Sequence, residues 1–502
     1  MKGGVFHSLI DKKILLGYNC KSMELNEIIQ QRKAKLEALK AQGSPVYPAH
    51  KASKDDIAKV LDNFEVGKKV ILAGRVMAKR SHGKVLFLDL RDSSARIQLY
   101  LKADYVGADK FEALKDMDIA DIVEVKGELF KTHSGEPTVK VEEFLILTKA
   151  LRPLPEKWHG LKDVELRYRQ RYLDLIVNEE VKKVFLLRSQ IMKAVRDFLD
   201  ERGFQEVETP MMHSIAGGAT GRPFKTYHNE YDLDLFLRIA PELYLKRLLV
   251  AGLERVYEIN RSFRNEGVST KHNPEFTMLE VYSAYANYED MMQLTQDLII
   301  FVAGKVLGSA KFTYQGKSVD LSAPWQVRSF ASMVKDKFNI EPQDKVEVML
   351  KKLQAKGAAQ ATGKLTRSQI NKIIEAMLDE DLSTNPAFVT DYFTDLCPLA
   401  RSKPDNPLIS ERFELFIAGL EIGNAYSELN DPLEQRERFE GEIKGLSPEE
   451  KKSVDDDYIL ALEHGMPPAG GLGIGIDRLV MLLTDQPSIR DVILFPLLRP
   501  QK

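Results

Sequence analysis

The sequence predicts an α+β fold made of two parts, a β-barrel followed by a larger domain of helices and strands. Between about residues 67 and 150, short runs alternate between apolar and polar residues, which is the pattern of β-strands. Prolines within residues 152–155 stiffen the chain and predict a linker over 151–164. After the linker, strand-like runs alternate with helical stretches such as 184–199. The larger domain is therefore expected to span 165–502.

The first part of the chain, residues 1–66, is predicted to be an extension that carries one helix. From residue 24 to 41 the apolar residues form a helical stripe, and Gly43-Ser44-Pro45 ends it. Residues 1–22 show little pattern, whereas Met23 opens a better helix. We therefore expect the first segment to be a tag or to precede the natural start.

Five alternating runs with one helical interval near 106–116 match the strand count of an OB-fold barrel. The runs cover residues 70–76, 85–90, 97–101, 122–125 and 138–141. Barrels of this kind bind single-stranded nucleic acid by stacking bases on aromatic side chains within a basic groove. The sequence therefore predicts an OB-fold over 67–150.

An excess of basic residues is a second sign of a nucleic-acid partner. Residues 1–100 contain 19 Lys and Arg against 10 Asp and Glu, although the whole chain has a net charge of −2. A solvated charged surface explains this excess equally well. The candidate groove residues are Lys79, Arg80, Lys84, Phe87 and Gln98. On spacing alone, Phe87 is better explained as a core residue than as a platform for a base.

Composition excludes several classes of protein. The hydrophobic fraction of 44% and the charged fraction of 29% are those of an ordinary soluble protein. Cys20 and Cys397 lie far apart without nearby His at metal-ligand spacing, so neither a disulfide framework nor a zinc site is expected. No stretch approaches the roughly 20 apolar residues of a membrane helix, and no signal-peptide pattern begins the chain. We therefore expect a cytoplasmic protein that has no membrane partner.

The larger domain has no P-loop and no Gly-x-Gly-x-x-Gly after a strand, so an ATP pocket, if the domain has one, must be of another kind. The best candidate is a pair of strands, 255–266 and 276–282, joined by a polar loop. Alternation along a strand would place Arg264 and Glu266 on one face. It would also gather three residues of the return strand: Phe276, Glu280 and Tyr282. An arginine there can bind phosphate and a ring can stack on a base, although an ion-paired hairpin fits equally well.

Two further segments carry residues suited to phosphate chemistry. Glycines at 470–475 precede an apolar helix, where they either present free N–H groups to an anion or allow tight packing. The second segment contributes four polar residues: Glu414, Glu421, Asn424 and Glu428. Its carboxylates are hard ligands that suit Mg²⁺ beside phosphates. Positions 414 and 421 differ by an odd number, so a bulge or turn near Gly419 or Gly423 is needed to bring them to one face.

Taken in order, these segments resemble the three motifs of the class II aminoacyl-tRNA synthetases, and the resemblance covers nearly the whole chain after Met23. The helix 184–199 with residues 203–210 resembles the first motif, which builds the dimer interface in that family. The hairpin of Arg264 resembles the second motif, and the run 471–478 resembles the third. The resemblance implies a catalytic domain made of an antiparallel sheet flanked by helices, and a homodimer. A Lys- and Ala-rich stretch, about 348–380, is expected to be a helical insertion.

An OB-fold ahead of this domain is similar to the bacterial-like subgroup for lysine, aspartate and asparagine, in which the barrel binds the anticodon. Residues 239–247 and 424–431 resemble the lysine-specific members. This implies ligation of L-lysine to tRNA(Lys) with ATP and Mg²⁺. Physically, Glu242 and Glu428 would attract a cation and repel an aspartate substrate. The rivals are an aspartate or asparagine synthetase, a lysine ligase that modifies a protein, and an inactive tRNA-binding protein.

The resemblance also implies a role for each candidate residue. Arg264 would bind the α-phosphate and stabilise the transition state, while Phe276 and Arg478 would hold the adenine between them. The residues implied for ATP are Arg264, Glu266, His272, Asn273, Phe276, Glu414 and Arg478. The residues implied for Mg²⁺ are Glu414 and Glu421.

The remaining implied roles concern lysine and the anticodon. The residues implied for lysine are Gly218, Glu242, Glu280, Tyr282, Asn424 and Glu428. In the barrel, the resemblance changes the interpretation of Phe87 from a core residue to a base-stacking residue. It implies that Phe87 acts with Arg80, Gln98 and Glu143 in reading the anticodon.

Overall fold

The structure, a computed structural model, describes residues 25–43, 45–50, 54–155, 161–219, 221–357, 365, 367–378, 384–444 and 454–501. The chain divides into two compact units, Met1–Leu161 and Lys162–Lys502, and the division falls within the stretch expected to be a linker. Residues 1–22 with Cys20, and parts of the stretch 348–380, lie outside the described residues.

The N-terminal unit is built around a closed barrel of five strands in the order β1-β2-β3-β5-β4. Its elements are α1 (Leu25–Ala41), α2 (Ile57–Asp62), β1 (Lys69–His82), β2 (Val85–Arg91), β3 (Arg96–Lys102), α3 (Ala103–Val106), α4 (Ala108–Lys115), β4 (Ile122–Lys131) and β5 (Pro137–Thr148). Only β3 and β5 pair in parallel among the barrel strands described. Five strands with helices between the third and fourth confirm the predicted OB-fold.

Strand alternation fills the barrel with apolar side chains. Along β2, Leu86, Leu88 and Leu90 are at most 2% exposed, and the residues between them face outward. Leu39 of α1 and Ile57 of α2 join the same core. The helix of the predicted extension therefore packs as part of the barrel unit.

The C-terminal unit contains the remaining elements. Its helices are α5 (Val164–Arg169), α6 (Arg171–Val177), α7 (Glu179–Asp200), α8 (Glu242–Val250), α9 (Tyr288–Leu307), α10 (Phe330–Phe338), α11 (Val346–Ala355), α12 (Arg367–Leu378), α13 (Pro432–Lys444), α14 (Asp456–Glu463), α15 (Ile476–Leu483) and α16 (Ile489–Val492). None of the described helices is both long enough and apolar enough to cross a membrane.

The strands that the structure describes in this unit form one large sheet and three small ones. They are β6 (Gln205–Glu206), β7 (Met212–His213), β8 (Lys225–His228), β9 (Leu233–Leu237), β10 (Arg255–Phe263), β11 (Glu275–Ala284), β12 (Lys311–Tyr314), β13 (Lys317–Asp320), β14 (Gln326–Ser329), β15 (Ala387–Thr390), β16 (Ser402–Lys403), β17 (Asn406–Ser410), β18 (Arg412–Ile417), β19 (Leu420–Ser427) and β20 (Ala469–Gly475). The large sheet has the order β14-β15-β18-β19-β20-β11-β10-β6. Its five central pairs are antiparallel, as expected.

Helices cover one face of the large sheet. Ile191 of α7, Leu298 of α9 and Leu479 of α15 are fully buried in one core with sheet residues such as Leu279 and Leu415. Burial of each such side chain contributes about 1.5–3 kcal/mol. Because neighbouring residues alternate between faces, the opposite face carries the polar side chains of β11, β18 and β19.

A buried polar network fixes α7 against this sheet. Arg188 of α7 donates to Asp477 Oδ1 at 2.6 Å and to Thr277 Oγ1 at 3.0 Å. Asp477 Oδ2 accepts from the backbone N–H of Thr277 at 2.7 Å. One carboxylate therefore joins α7 to β11 and to the start of α15.

The stretch expected to be a helical insertion contributes α11 and α12. Met349 and Ile370 are fully buried together with Phe338 of α10 and Phe393. These helices therefore share a core with the edge of the large sheet instead of projecting from it as a separate appendage.

Candidate active site

The predicted pair of strands is present, but Arg264 lies just beyond its end. β10 pairs with β11 in antiparallel register and stops at Phe263. Arg264 and Glu266 therefore lie in the connecting loop, and the prediction that they belong to the strand was wrong. Backbone hydrogen bonds hold the loop instead, because Arg264 N donates to Pro274 O and Glu266 N to Arg264 O, each at 2.8 Å.

The Arg264 side chain reaches back to Phe276. Its guanidinium carbon lies 5.1 Å from the centre of the Phe276 ring, and its Nε is buried without a hydrogen-bond partner among the described residues. Burial lowers the pKa of Arg264, and the carboxylates of Glu266, Glu421 and Glu280 oppose that change. Because a guanidinium stays charged at physiological pH, a partly desolvated cation with an unused N–H faces the site. Such a group is suited to an anion.

One row of cross-strand partners carries several predicted site residues. Glu414 lies opposite Asn424, Asn424 lies opposite Gly473, and Gly473 lies opposite Glu280. Directly opposed residues of an antiparallel sheet share a face. Gly473 contributes no side chain between Asn424 and Glu280, and the Met278 methyl lies 3.2 Å from the position that a Cβ would take there. The row therefore forms a floor with a carboxyl group at each end.

Glu414 and Glu421 share this face because the register shifts between β18 and β19. The pairing skips Ile422, so that Glu421 lies opposite Phe416. This extra residue forms a β-bulge, which compensates for the odd spacing of the two glutamates. The prediction of a bulge near Gly423 is confirmed.

Both of these carboxylates have a cationic neighbour. Glu414 accepts from Tyr392 OH at 2.9 Å and contacts Arg412. Glu421 accepts from Arg478 at 2.9 Å. Burial acts to raise the pKa of Glu421, but the Arg478 guanidinium outweighs it, so the pKa lies below its usual value. Glu421 is therefore an anion at neutral pH.

The donor set of Glu414 and Glu421 fits a magnesium ion that is shared with phosphates. Mg²⁺ in such sites takes one or two protein carboxylates, and phosphate oxygens and water fill its other positions. The described residues contain no cluster of three or more His, Cys, Asp or Glu that could hold a metal by themselves. Two hard carboxylates on one sheet face meet the smaller requirement.

The glycine-rich run is a central strand. β20 lies between β11 and β19 and pairs with both, so its glycines belong to the sheet. A Cβ atom at Gly471 would overlap the Glu428 carboxylate and lie 2.6 Å from the Tyr282 ring. Of the two explanations given for the run, close packing applies, and free N–H groups for an anion do not.

Arg478, in the first turn of α15, connects this strand to the hairpin loop. Its NH1 also donates to the Glu421 carbonyl at 2.8 Å, and its NH2 lies 3.4 Å from His272 Nε2. Burial lowers the pKa of His272, and the Arg478 charge lowers it further. The imidazole is therefore neutral at pH 7, with Ser269 Oγ 3.0 Å from its Nδ1.

The predicted acidic pocket contains a lysine of the protein itself. Lys246, one turn after Glu242 in α8, is fully buried. Its Nζ donates to Glu242 Oε1 at 2.6 Å and contacts Glu428 Oε2. Burial by itself would lower the pKa of Lys246, but the two carboxylates raise it above its usual value, so this lysine is a cation. Tyr426 OH also donates to Glu242 Oε1, at 2.6 Å.

Gly218, Glu280 and Tyr282 complete the walls of this pocket. Tyr282 OH donates to Glu280 Oε2 at 3.1 Å. Burial, and then the charge of Glu242, raise the pKa of Glu280 to about 8. Gly218 has a φ of +85°, which favours glycine, and its Cα lies so close that a Cβ there would be 3.5 Å from Glu242. The structure therefore brings the predicted lysine-binding residues together.

Several buried polar atoms at this site have no protein partner among the described residues. They are Arg264 Nε, Asn273 Oδ1, Asn424 Oδ1 and Glu428 Oε1. Each such atom costs about 1–3 kcal/mol, so they are rare in protein interiors. Their concentration around one sheet face is typical of a site where a ligand supplies the missing partners.

Phe87 lies on the outside of the barrel. It alternates with the buried Leu86 and Leu88 and faces Arg80 on β1 and Tyr100 on β3. Its ring centre is 5.3 Å from that of Tyr100. The interpretation of Phe87 as a core residue, drawn from spacing alone, was wrong, because the strand turns this position away from the barrel interior.

Arg80 and Gln98 lie on the same outer face as Phe87. Arg80 NH2 is 3.2 Å from Gln98 Oε1, to which it donates. The structure does not bring Glu143 to this pair, since Glu143 forms an ion pair with Lys126 between β4 and β5 at 3.0 Å. The anticodon residues implied by the resemblance are therefore only partly gathered at one place.

Three residues that the sequence analysis did not single out contact the candidate site residues: Lys246, Arg412 and Tyr426. Lys246 follows Glu242 by four residues, and that helical spacing is a signal for contact. Tyr426 alternates with Asn424 along a strand, which places both on one face. Arg412 precedes Glu414 by two residues on β18, so strand alternation places these two side chains on one face as well.

Both units match known families. Residues 163–499 match the family described as tRNA synthetases class II (D, K and N), and residues 70–147 match the OB-fold nucleic acid binding domain. The first match covers most of the C-terminal unit, and the second covers the barrel strands.

Relatives of similar length are about half identical. The lysine–tRNA ligase of Carboxydothermus hydrogenoformans is 54% identical over 485 residues, which cover 95% of this chain and 99% of that protein. The lysine–tRNA ligase of Moorella thermoacetica is 51% identical over 483 residues, with the same shares. That of Pelotomaculum thermopropionicum is 51% identical over 491 residues, which cover 95% of this chain and 96% of that protein.

Proposed function

This chain belongs to the class II tRNA synthetases of the aspartate, lysine and asparagine group, and from that membership we propose how its residues work. Its reaction is lysine–tRNA ligation, the activity named for relatives that match 95% of its length. ATP activates L-lysine to lysyl-adenylate with release of pyrophosphate, and the lysyl group then passes to the 3′ end of tRNA(Lys). The same relatives argue against an aspartate or asparagine enzyme, a protein-modifying ligase and an inactive binding protein.

The observation that carries the proposed roles is the common sheet face of Glu414, Asn424 and Glu280, with Arg264 at its edge. Carboxylates suited to an amino acid's ammonium groups lie beside a cation suited to phosphate. Lysine and ATP would thus bind side by side on one sheet face. The lysine carboxylate must lie next to the α-phosphate to attack it, and this arrangement allows that.

In the first step, the lysine carboxylate attacks the α-phosphorus of ATP and pyrophosphate leaves from the opposite side. No covalent bond to the protein is needed, so positioning and charge stabilisation carry the catalysis. Arg264 would bind the α-phosphate, where negative charge grows in the transition state. Its unused buried Nε–H supports this role.

The adenine would lie between Phe276 and Arg478. Stacking on an aromatic ring and on a guanidinium is favourable for any purine. Glu266, His272 and Asn273 lie in the hairpin loop and would help to place the nucleotide. The contact of Arg478 with His272 connects the two sides of this proposed slot.

Glu414 and Glu421 would hold Mg²⁺ with the phosphates. The ion, when bound, would supply positive charge to the phosphate oxygens. Tyr392 and Arg412 orient the Glu414 carboxylate, and Arg478 orients that of Glu421. Substituting Glu414 by Gln should raise the magnesium concentration that half-saturates adenylate formation by about 10- to 100-fold.

Lysine would bind over the glycines of β20, with the glutamates of the pocket on either side. Glu428 Oε1 is buried and free of other hydrogen bonds among the described residues, so it can accept from the ε-ammonium. Glu280 and Asn424 lie in the row nearer to Arg264, where the α-amino end must be if the carboxylate is to attack. Gly218, Glu242 and Tyr282 would complete the pocket.

The barrel would bind the anticodon of tRNA(Lys), with Phe87 as a stacking platform and Arg80 and Gln98 beside it. Glu143 would read a base at a second place on the barrel. Tyr105, 48% exposed, continues the aromatic surface from Tyr100. Because tRNA is charged where ribosomes use it, we place the activity in the cytoplasm.

Two chains would associate through the face of α6 and α7 and the C-terminal segment. Tyr172, Leu186 and Phe495 are 56%, 54% and 70% exposed, and an apolar patch of this kind marks an interface. Arg171 fastens the segment by donating to Leu494 O at 3.1 Å. Light scattering should give twice the chain mass of 57.0 kDa, and the double variant Leu186→Glu/Phe495→Glu should give the single mass.

The proposed function is tested by exchange of labelled pyrophosphate into ATP without tRNA, with aspartate, asparagine and arginine as controls. Exchange that depends on lysine alone is expected. Exchange with one of the other amino acids would overturn the pocket assignment. Folded protein without any exchange would overturn adenylate formation.

A further inference from the structure

The lysine pocket holds three glutamates and one buried cation of the protein. The charge of Glu242 influences the protonation of both Glu280 and Glu428, and Glu280 also influences that of Glu428. Lys246 is 0% exposed at its side chain and lies between Glu242 and Glu428. No role in binding or chemistry has been assigned above to this lysine, although it occupies the centre of the acidic wall.

The charges balance only when Lys246 is included. Free lysine brings two ammonium groups into this pocket, whereas its carboxylate lies toward Arg264 and the α-phosphate in the proposed function and is not part of this count. Three carboxylates opposite two ammonium groups would leave one buried negative charge unpaired, and unpaired buried charges cost several kcal/mol. With Lys246, three anions face three cations. Arg264, the other cation near Glu280, is assigned to phosphate in the proposed function.

We propose that Lys246 is a resident counter-cation that balances one pocket carboxylate permanently, so that the remaining two match the two ammonium groups of the lysine substrate. This inference rests on the proposed lysine site. Lys246 is a positioning residue, because it acts on the substrate through Glu242 and Glu428. It also sets specificity, since it fixes how much positive charge the pocket accepts.

The neighbours of Lys246 make it the group on which this balance depends. Facing it are Glu242 on its own helix, Tyr426 on β19, Glu428 just after that strand, and Tyr458 on α14. All are acids or neutral phenols, and burial raises the pKa of Glu428 while Lys246 opposes that increase. Without the lysine, Glu242 and Glu428 would share a proton, as close carboxylate pairs do.

A charge-swap cycle tests the inference through the KM for lysine in pyrophosphate exchange. Glu242→Gln alone leaves two carboxylates for three cations, and the KM should rise at least about tenfold with little change in kcat. Adding Lys246→Met restores two against two, so the double variant should recover most of that loss. Tyr426 OH can still donate to the Gln oxygen in both proteins.

The single variant Lys246→Met supplies an independent readout. Its pocket must lose a shared proton before lysine binds, so its KM should fall more steeply between pH 6.5 and 8.5 than that of the wild type. The double variant should return to the shallower wild-type dependence. If Lys246→Met does not fold, the comparison of Glu242→Gln with the double variant still tests the inference.

A second buried lysine provides the matched control. Lys149 in the barrel unit is also 0% exposed and bridges two carboxylates, Asp121 at 2.7 Å and Asp118. Lys149→Met should lower thermal stability without changing the KM for lysine.

The outcomes separate the inference from the proposed function. A double variant no better than Glu242→Gln, or one that does not fold, would show that Lys246 acts through packing and would overturn the inference. So would an unchanged KM and pH dependence in a folded Lys246→Met variant. If the wild-type protein showed no lysine-dependent pyrophosphate exchange, the proposed lysine site itself would instead be overturned.

Discussion

The outer face of the barrel and the polar face of the large sheet are both proposed binding surfaces, yet they hold their charges differently. On the barrel, Arg80 is 49% exposed beside Asp89. In the sheet pocket, Lys246 and Glu428 are both 0% exposed. Exposed pairs are screened by water and contribute at most about 1 kcal/mol, whereas buried charges depend strongly on each other. The effects of substitutions should therefore be nearly additive on the barrel, whereas in the pocket the effect of one substitution should depend on the others.

The largest effect is expected from Arg264, the buried cation that is proposed to bind the α-phosphate. Arg264→Ala should lower the rate of lysyl-adenylate formation by about 100- to 1000-fold, because a preorganised charge is lost where the transition state needs it. The affinity for lysine should change by no more than about threefold. Single-turnover adenylate formation and equilibrium binding measure the two quantities.

Arg261→Ala is the control for this prediction. Arg261 lies on β10, is 40% exposed, and approaches Glu275 to only 3.8 Å. The Arg261→Ala variant should keep the rate of lysyl-adenylate formation and the affinity for lysine near the wild-type values. Equal losses of rate and affinity in Arg264→Ala would contradict a transition-state role.

The next effect concerns Gly471, in the central strand β20. Gly471→Ala would place a methyl group against the Glu428 carboxylate and the Tyr282 ring. The KM for lysine should rise by about 10- to 100-fold, since overpacking costs about 1–3 kcal/mol. Gly304→Ala in α9, where the added methyl meets nothing within 4 Å, is the control. An unchanged KM in Gly471→Ala would mean that lysine does not bind over this strand.

A smaller, step-specific effect is expected on the barrel. Phe87→Ala should lower the efficiency of tRNA charging by about 10- to 100-fold, because one stacked base contributes about 1–3 kcal/mol. Pyrophosphate exchange without tRNA should be unaffected. Val66→Ala, at a 65% exposed position of the same unit, is the control. If charging and exchange fell together, Phe87 would have a folding role instead.

The last effect, which is the smallest when it is counted per pH unit, is a dependence of lysine binding on pH. Since burial raises the pKa of Glu280 to about 8, the free enzyme carries a proton there below that pH. The ammonium of bound lysine favours the ionised form, so binding releases the proton. The dissociation constant should fall by up to about tenfold per unit as pH rises from 6 to 8.

Calorimetry in two buffers of different ionisation enthalpy measures this proton release directly. Glu280→Gln cannot release it, so its binding should vary less with pH than that of the wild type. Equal proton release by the two proteins would assign the titration to another group.

The parts of the fold that follow from local pattern were predictable from the sequence. The five strands of the barrel, the hairpin around Arg264 and the helix 184–199 each show their period directly. The bulge before Gly423 was also predictable, because two glutamates at odd spacing needed one to share a face. These features depend on alternation and on backbone geometry alone.

What the sequence could not show depends on register and packing between distant segments. The position of Lys246 between Glu242 and Glu428 requires α8 to lie against the end of β19. The face of Phe87 depends on which side of β2 closes the barrel. Arg264 lies outside the predicted strand because β10 ends one residue before it. In each case the decisive contact joins residues that no local pattern connects.

The Asp477 carboxylate ties together residues that sit next to the proposed adenine slot. Its partners are Thr277, which follows Phe276, and Arg188 of α7, while Arg478 follows Asp477 itself. A substitution at Arg188, Thr277 or Asp477 leaves a buried charge or hydrogen-bond donor without its partner at the other two positions. Sequence drift at these sites is therefore coupled. Across related chains, Arg188, Thr277 and Asp477 should be replaced as a set or retained as a set, and hydrogen exchange in α7 should slow when ATP binds.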